Sequence, residues 1–283
     1  MLQKKRRRNM QSNTINLFDE RGRRIPFEDM RVFNEVSLSY YKINQPEIVF
    51  EKILSNSKQY ADIDSSITVK SFESVCMGLK KKVQDEPLLK NLFNGIQVPF
   101  ICPKALLEDD FGKELERITL PSVASSFKAN YPNLHCKATL QGSSKLSGEL
   151  SVASDSRYET FIQAHRNGAI AGWYFPQALQ EYDIASQRAQ MKTLPFHDGL
   201  TLSGGLDTAA AIVGSPDLLV NENDYPPVLC LSALKHADER LMLCFKAYGQ
   251  HLEFWCMSQM LTPEIKQVSE QWSGGLTLFT SID

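Results

Sequence analysis

The sequence has no stretch that approaches the roughly 20 apolar residues that a membrane-spanning helix needs, and it predicts no transmembrane segment. The basic cluster near its start is followed by polar residues and not by an apolar run, which excludes the pattern of a secretory signal. There is no Cys-x-x-Cys pair, and none of the five histidines has a second histidine three to five residues away. These absences exclude the usual ligand spacings of a structural zinc site.

The six cysteines follow no regular spacing and lie in apolar or amphipathic segments. A chain of this size without an export signal is expected to keep its cysteines as free thiols in a reducing compartment. The sequence therefore predicts a soluble, cytoplasmic protein with reduced cysteines and no resident cofactor.

The chain does contain enough apolar material for a real core, because 42% of its 283 residues are hydrophobic. Its net charge of −2 excludes a dedicated polyanion-binding protein, but the charge is unevenly distributed. Five adjacent cations, Lys4, Lys5, Arg6, Arg7 and Arg8, lie in a polar segment over residues 1–30. We interpret this segment as a basic, flexible arm that either is simply solvated or makes an accessory contact with a polyanion or an anionic surface.

Helical patterns dominate residues 31–130, where apolar side chains recur at helical spacing in a first helix that begins near Pro46 and a second that begins near Ser66. From Pro132 the pattern changes, and apolar residues alternate with polar ones as in half-buried strands. Residues 131–283 are therefore predicted to form an antiparallel α+β region that shares one continuous core with residues 31–130. The predicted fold class is α+β, with a helix-rich N-terminal half packed against antiparallel hairpins of the C-terminal half.

The clearest predicted hairpin pairs residues 241–248 with residues 251–258 across Gly249-Gln250, because glycine in the first position suits a type II′ turn. Its register would place Phe245 opposite Phe254 on an apolar face, and Lys246 opposite Glu253 on the other face.

Alternation and helical spacing predict further elements. A second hairpin is expected from residues 134–140 and 146–152, which alternate on both sides of a five-residue loop. Helices are expected at residues 176–191 and from Thr262 to Trp272.

One short segment matches a known functional sequence motif, and it consists of Ser203, Gly204, Gly205, Leu206, Asp207 and Thr208. This string resembles the pyrophosphate-binding loop of the ATP pyrophosphatase superfamily, which includes argininosuccinate synthetase and asparagine synthetase. The resemblance implies that the Ser-Gly-Gly backbone contacts the phosphates of ATP and that Asp207, followed by Thr208, helps to hold magnesium. It implies a Mg-ATP-dependent adenylating transferase or ligase.

The same motif also has a purely structural interpretation. The superfamily places its loop after the first strand of a parallel, doubly wound sheet, whereas the hairpin pattern predicts antiparallel neighbours here. Residues 273–276 repeat Ser-Gly-Gly-Leu, and we interpret this second copy as a turn. On this interpretation the first copy is a turn of small residues, and Asp207 caps the helix that follows.

A cysteine-dependent hydrolase or transferase is a further alternative, because a thiol nucleophile needs a histidine within hydrogen-bonding distance. Cys102 and Cys136 are predicted to be the most accessible thiols. His165, His197 and His251 could approach them from elsewhere in the fold. His197, which lies shortly before the Ser-Gly-Gly turn, is the first candidate.

None of these motifs is specific enough to displace a binding function. The leading hypothesis is a regulatory or protein-interaction module whose partner is another protein, and which could be an effector delivered into another cell.

Overall fold

The computed structural model describes residues 16–27, 41–107, 109–139, 145–195, 197–221, 223–248, 251–258 and 271–282. The helices are α1 (Phe50–Tyr60), α2 (Val69–Gln84), a 3₁₀ helix (Lys90–Asn94), α3 (Phe111–Glu114), a π-helical turn (Leu115–Thr119), α4 (Leu120–Asn130), α5 (Tyr158–Asn167), α6 (Ile184–Thr193) and α7 (Gly205–Gly214). The strands are β1 (Val98–Cys102), β2 (Cys136–Thr139), β3 (Leu150–Val152), β4 (Ile170–Gln180), β5 (Leu200–Leu202), β6 (Val228–Cys230), β7 (Leu234–His236), β8 (Leu241–Tyr248), β9 (His251–Ser258) and β10 (Trp272–Ser281).

The main sheet has eight strands in the order β1-β4-β10-β6-β8-β9-β2, with β5 also paired to β10, and β3 pairs with β7 in a small second sheet. Most pairings are antiparallel, but β10–β6 and β2–β9 are parallel. Helices packed on a mixed sheet confirm the predicted α+β fold.

The β8–β9 hairpin has the predicted register, with Phe245 opposite Phe254 and Lys246 opposite Glu253. The two phenylalanine rings meet edge to face at 5.2 Å between centroids, and the charged pair lies at 3.4 Å between Lys246 Nζ and Glu253 Oε2. Side-chain pairing and alternation therefore specified this register correctly. The predicted turn at Gly249-Gln250 lies outside the described residues.

The second predicted hairpin is wrong. Strand β2 pairs in parallel with β9, and β3 pairs with β7, so residues 134–140 and 146–152 do not pair with each other. Alternation correctly identified Cys136–Thr139 and Leu150–Val152 as strands, whereas residues 146–149 form a turn. It carries no information on which partner a strand selects, and both partners here are distant in sequence.

The helix predicted at residues 176–191 is wrong over its first part, because Pro176–Gln180 belong to β4 and the helix begins at Ile184. All eleven residues of β4 are buried, and a strand that is buried throughout gives no alternation to distinguish it from a helix. The true helix start is set by Asp183, whose carboxylate accepts a hydrogen bond of 2.6 Å from the Ser186 N–H.

The interpretation of Ser273-Gly274-Gly275-Leu276 as a turn is also wrong. These residues lie within β10, which pairs with β4, β5 and β6. A Cβ on Gly275 would lie 2.5 Å from the Tyr174 ring, so the glycine is needed for packing inside the sheet and not for a turn. Trp272, predicted as the end of a helix, is the first residue of this strand, and residues 262–270 of that predicted helix lie outside the described residues.

Helix α7 occupies the centre of the molecule, and all ten of its residues are buried. It packs against β1, α1 and α4. Its small residues allow this close approach, since a Cβ on Gly214 would lie only 2.8 Å from the Ile53 side chain. The Ser-Gly-Gly turn that precedes α7 therefore begins in the interior.

Only part of the predicted arm is described. Leu17 and Phe18 are buried against the core, and the buried guanidinium of Arg24 donates a hydrogen bond of 2.8 Å to the Leu17 carbonyl. The cluster from Lys4 to Arg8 lies outside the described residues. Within the described ranges, no helix is both long enough and apolar enough to cross a membrane.

Candidate functional site

The Ser-Gly-Gly turn connects β5 to α7, and the helix predicted to follow the turn begins at Gly205. Gly204 is the N-cap of α7, and its N–H donates a hydrogen bond of 3.0 Å to Asp207 Oδ1. Asp207 thus caps the first turn of its own helix.

Asp207 is also the centre of a buried polar cluster. The Tyr158 hydroxyl donates a hydrogen bond of 2.8 Å to Oδ1, and the Thr277 hydroxyl donates to Oδ2. Ser203 Oγ lies 2.7 Å from Thr277 Oγ1 and extends the cluster towards β5. Burial raises the pKa of Asp207 to about 6, and these hydrogen bonds oppose that rise because they favour the carboxylate.

The glycines of the turn face protein side chains. A Cβ on Gly204 would overlap the Tyr158 ring, and a Cβ on Gly205 would lie 2.7 Å from Leu115. Thr208 is fully buried as well. In the described structure, the Gly204 N–H and both Asp207 oxygens are used within the protein, and the residues present do not fit a magnesium-bound triphosphate without displacing Tyr158.

Cys102 has a histidine neighbour, which is His165. Cys102 ends β1, His165 lies on α5, and Sγ is 3.6 Å from the imidazole Nδ1. Burial, followed by the charges of Asp207 and Glu114, raises the pKa of the Cys102 thiol well above its usual value. Burial lowers the pKa of His165 to about 4, although a hydrogen bond with the Pro103 carbonyl opposes this. Both groups are therefore neutral at pH 7.

The Cys102–His165 pair lines a small cavity of about 30 Å³, which has room for one or two water molecules. The π-helical turn forms one of its walls through Ile118 and Thr119, and π-helical turns occur frequently at functional sites. Glu114, which is 2% exposed, accepts a hydrogen bond of 2.8 Å from the Leu107 N–H. The cavity therefore combines mainly apolar walls with a neutral thiol and a neutral imidazole, and the side chains of Asp62 and Glu114 also line it.

Cys136 and His197 lie in two other cavities. Cys136 is half-buried in a mainly apolar groove of about 250 Å³ between β2 and α4, and burial raises its pKa to about 11. His197 lines a more polar groove of about 520 Å³, and its Nδ1 lies 2.9 Å from the Asp198 carbonyl oxygen.

The structure therefore places Cys102, Cys136 and His197 in three separate cavities and pairs Cys102 with His165 instead. The spacing of 63 residues between Cys102 and His165 gives no signal in the sequence, because the pair is formed by the packing of α5 near β1. Among the described residues, no three His, Cys, Asp or Glu side chains are grouped so that they could hold a metal ion.

Comparisons with protein-family models, with curated proteins and with solved structures find no match for this chain.

Proposed function

We propose that this protein is an interaction module that binds an extended segment of a partner protein by adding it as a strand beside β2. The observation that carries the proposal is an exposed edge strand next to an apolar groove. β2 is the last strand of the main sheet on its side in the described part of the chain. Strand addition at such an edge is a common way in which proteins recognise extended peptides.

The hydrogen-bonding pattern of β2 supports the proposal. Leu252 N–H donates a bond of 2.9 Å to the His135 carbonyl, and Cys136 is the Cα partner of Leu252 in the parallel register. In a parallel pair, alternate residues direct their backbone groups to the neighbouring strand. The N–H and C=O groups of Cys136 and Ala138 therefore point away from β9, where an added strand would bind.

The groove supplies a place for the side chains of that segment. It has a volume of about 250 Å³. Its walls are mainly apolar and come from α4 and from strands β2, β8 and β9, and Glu116 of the π-helical turn and Lys137 of β2 also border it. The apolar lining residues are Leu120, Pro121, Val123, Ala124, Cys136, Ala138, Phe245 and Phe254. A medium-sized apolar side chain at alternate positions of the bound segment would fill it.

The charge of Lys137 indicates which type of residue the partner segment carries between its apolar positions. Lys137 is exposed and borders the groove, and strand alternation directs its side chain away from those of Cys136 and Ala138. Its Cα partner on β9 is Glu253, which already pairs with Lys246, and the other side of Lys137 faces the position of an added strand. An acidic residue in the partner would pair with it across the strands. Antiparallel pairing of two copies of β2 about this residue would instead place Lys137 opposite Lys137, which is unfavourable. We therefore propose a foreign segment of the form apolar, acidic, apolar.

Selection from a phage-displayed random peptide library, followed by fluorescence anisotropy of the enriched peptides, tests this function. We expect enriched peptides with alternating apolar positions and an intervening acidic residue. Ala138→Pro removes an N–H that faces away from β9, so it should weaken binding by at least about tenfold and preserve the fold. Failure to enrich any peptide, or equal binding to A138P, would contradict the proposal.

A matched pair of substitutions on α4 tests whether the groove binds the peptide side chains. Ala124 is half-buried in the groove wall, and Ser125 is its exposed neighbour. Ala124→Glu should abolish peptide binding because it places a charge in an apolar site. Ser125→Glu adds the same charge outside the groove and should leave the affinity unchanged.

A cysteine-dependent hydrolase or transferase is the second candidate. It is supported by the 3.6 Å approach of Cys102 Sγ to His165 Nδ1. In such an enzyme the imidazole would take the thiol proton, and the resulting thiolate would attack the substrate. The thiol-labelling experiment in the Discussion separates this candidate from the first.

A further inference from the structure

The largest of the three cavities described above is the groove that contains His197. Four segments form it: the second half of α2, the first turn of α5, the residues before β5 and the end of β10. Its volume of about 520 Å³ lies in the range of small-molecule sites. None of the functions considered so far uses it.

The groove is held in shape by Arg157. Its guanidinium donates hydrogen bonds to the carbonyls of Met191, Leu194 and Pro195, at 2.6, 2.9 and 3.0 Å. These bonds provide donors for backbone carbonyls at and just after the end of α6. They hold the backbone of residues 191–195 in place. Arg157 itself has a φ of 60°, which is a strained backbone conformation for a residue other than glycine. Strained residues of this kind concentrate at functional sites.

The floor of the groove is equally constrained. Gly199 has a φ of 81°, and a Cβ at this position would overlap the Phe279 carbonyl oxygen. Only glycine allows the chain to pass so close to β10. The groove is therefore formed before any ligand binds, which is usual for small-molecule sites.

The lining combines positive charge with an apolar floor. Lys82 on α2 and Arg157 outnumber the single carboxylate, which belongs to Asp198. A hydroxyl group comes from Ser281, whereas the Thr160 hydroxyl already donates a hydrogen bond of 2.7 Å to the Arg157 carbonyl. The buried side chains of Leu79, Leu200 and Phe279 supply apolar surface. An anionic group would be attracted by the cations, and a ring or short aliphatic body would lie on the apolar part.

From these features we propose that the His197 groove binds a small organic phosphate monoester. The phosphate accepts hydrogen bonds from the Lys82 ammonium and from the Ser281 hydroxyl, and the organic body packs on the apolar floor. Arg157 acts as a positioning residue, because three of its hydrogen bonds are made to the protein backbone. The site is separate from the β2 edge, so either proposal can fail without the other.

Isothermal titration of the full chain with phenyl phosphate tests the site. We expect binding at millimolar concentration, weaker binding of inorganic phosphate, which lacks the apolar body, and no binding of phenol. Lys82→Glu should weaken phenyl phosphate binding by about tenfold, because it reverses the charge that contacts the phosphate. Lys82→Gln should give a smaller loss.

Lys81 provides the matched control. It is exposed in the same last turn of α2 but does not line the groove. Lys81→Glu imposes the same charge reversal at the end of the helix, and it should leave the affinity within about twofold of the wild type. Absence of phenyl phosphate binding, or an equal loss in K81E and K82E, would overturn the proposal. Ala138→Pro should bind phenyl phosphate normally.

Discussion

The hydroxyl of Tyr158 donates a 2.8 Å hydrogen bond to Asp207 Oδ1, and this bond joins the first turn of α5 to the first turn of α7 in the interior of the protein. Both side chains are fully buried. A buried carboxylate is tolerated only when its oxygens have donors, and Tyr158 supplies one of them.

Tyr158→Phe should destabilise the protein by roughly 2 kcal/mol at pH 8, because it removes a donor from a buried, ionised carboxylate. The loss should be smaller at pH 5, where Asp207, with a pKa of about 6, is mostly protonated. Urea denaturation at the two pH values measures both numbers. Tyr225→Phe, at a tyrosine that is 60% exposed, should have no effect. An equal loss at both pH values would contradict ionisation of Asp207.

Asp207→Asn should change how stability depends on pH. The pKa of Asp207 is raised from 3.8 to about 6 in the folded protein, so the folded state binds this proton more tightly than the unfolded state. Protonated Asp207 therefore contributes roughly 3 kcal/mol to the free energy of unfolding at low pH, and this contribution is lost as the pH rises through 6. The free energy of unfolding of D207N, measured relative to wild type, should rise by that order between pH 4 and pH 7.

His165→Gln should change the pH dependence of the free energy of unfolding in the direction opposite to Asp207→Asn. The pKa of His165 is lowered from 6.5 to about 4, so here the unfolded state binds the proton more tightly. Its contribution increases as the pH rises from 4 to 6.5 and is complete above that value. The stability of H165Q relative to wild type should therefore fall over this window. A difference that is independent of pH would show that His165 titrates normally in the folded protein.

Gly204→Ala should destabilise the protein by about 1–3 kcal/mol, because its Cβ would overlap the buried Tyr158 ring. Gly78→Ala is the matched change at a glycine within α2 that has no atom within 4 Å of the new Cβ. It should stabilise the protein by about 0.5–1 kcal/mol, since alanine favours the helix. Thermal melts of both variants are sufficient. A neutral G204A would mean that Tyr158 can leave the turn, which would reopen the phosphate hypothesis for Ser203–Thr208.

Iodoacetamide labelling at pH 8, followed by mass spectrometry, should modify Cys136 first. It is half-buried, whereas the other five cysteines are buried. Cys102 should react only when the protein unfolds, because its thiol is buried and its pKa is raised. Preferential labelling of Cys102 that is lost in His165→Gln would instead support the cysteine-dependent candidate.

Local signals in the sequence were sufficient where a structural element depends on its own residues. The β8–β9 register followed from cross-strand pairs such as Phe245 and Phe254, and α2 followed from its buried stripe. Local signals gave wrong predictions where contacts between residues that are distant in sequence determine the structure. The end of β4 resembled a helix, and Gly275 in β10 resembled a turn because its close neighbour Tyr174 is about a hundred residues away.

The candidate sites followed the same division. The capping role of Asp207 is local, and the sequence offered it as one of two interpretations. The donors from Tyr158 and Thr277 come from other elements, as does the approach of His165 to Cys102. One sequence contains no signal for such contacts, because they arise only when α5, β1 and β10 pack together.

The arrangement of β4 and β10 also has a consequence for biosynthesis. β4 needs β10 as its neighbour on one side, yet it emerges from the ribosome roughly ninety residues earlier, which is several seconds at ~5–20 residues per second. During that interval the unpaired side of β4 and the Tyr174 ring, which packs against Gly275 of β10, lack their final cover. The nascent chain should therefore be a client for holding chaperones, and stalling translation shortly before Trp272 should leave a protease-sensitive intermediate that is prone to aggregate.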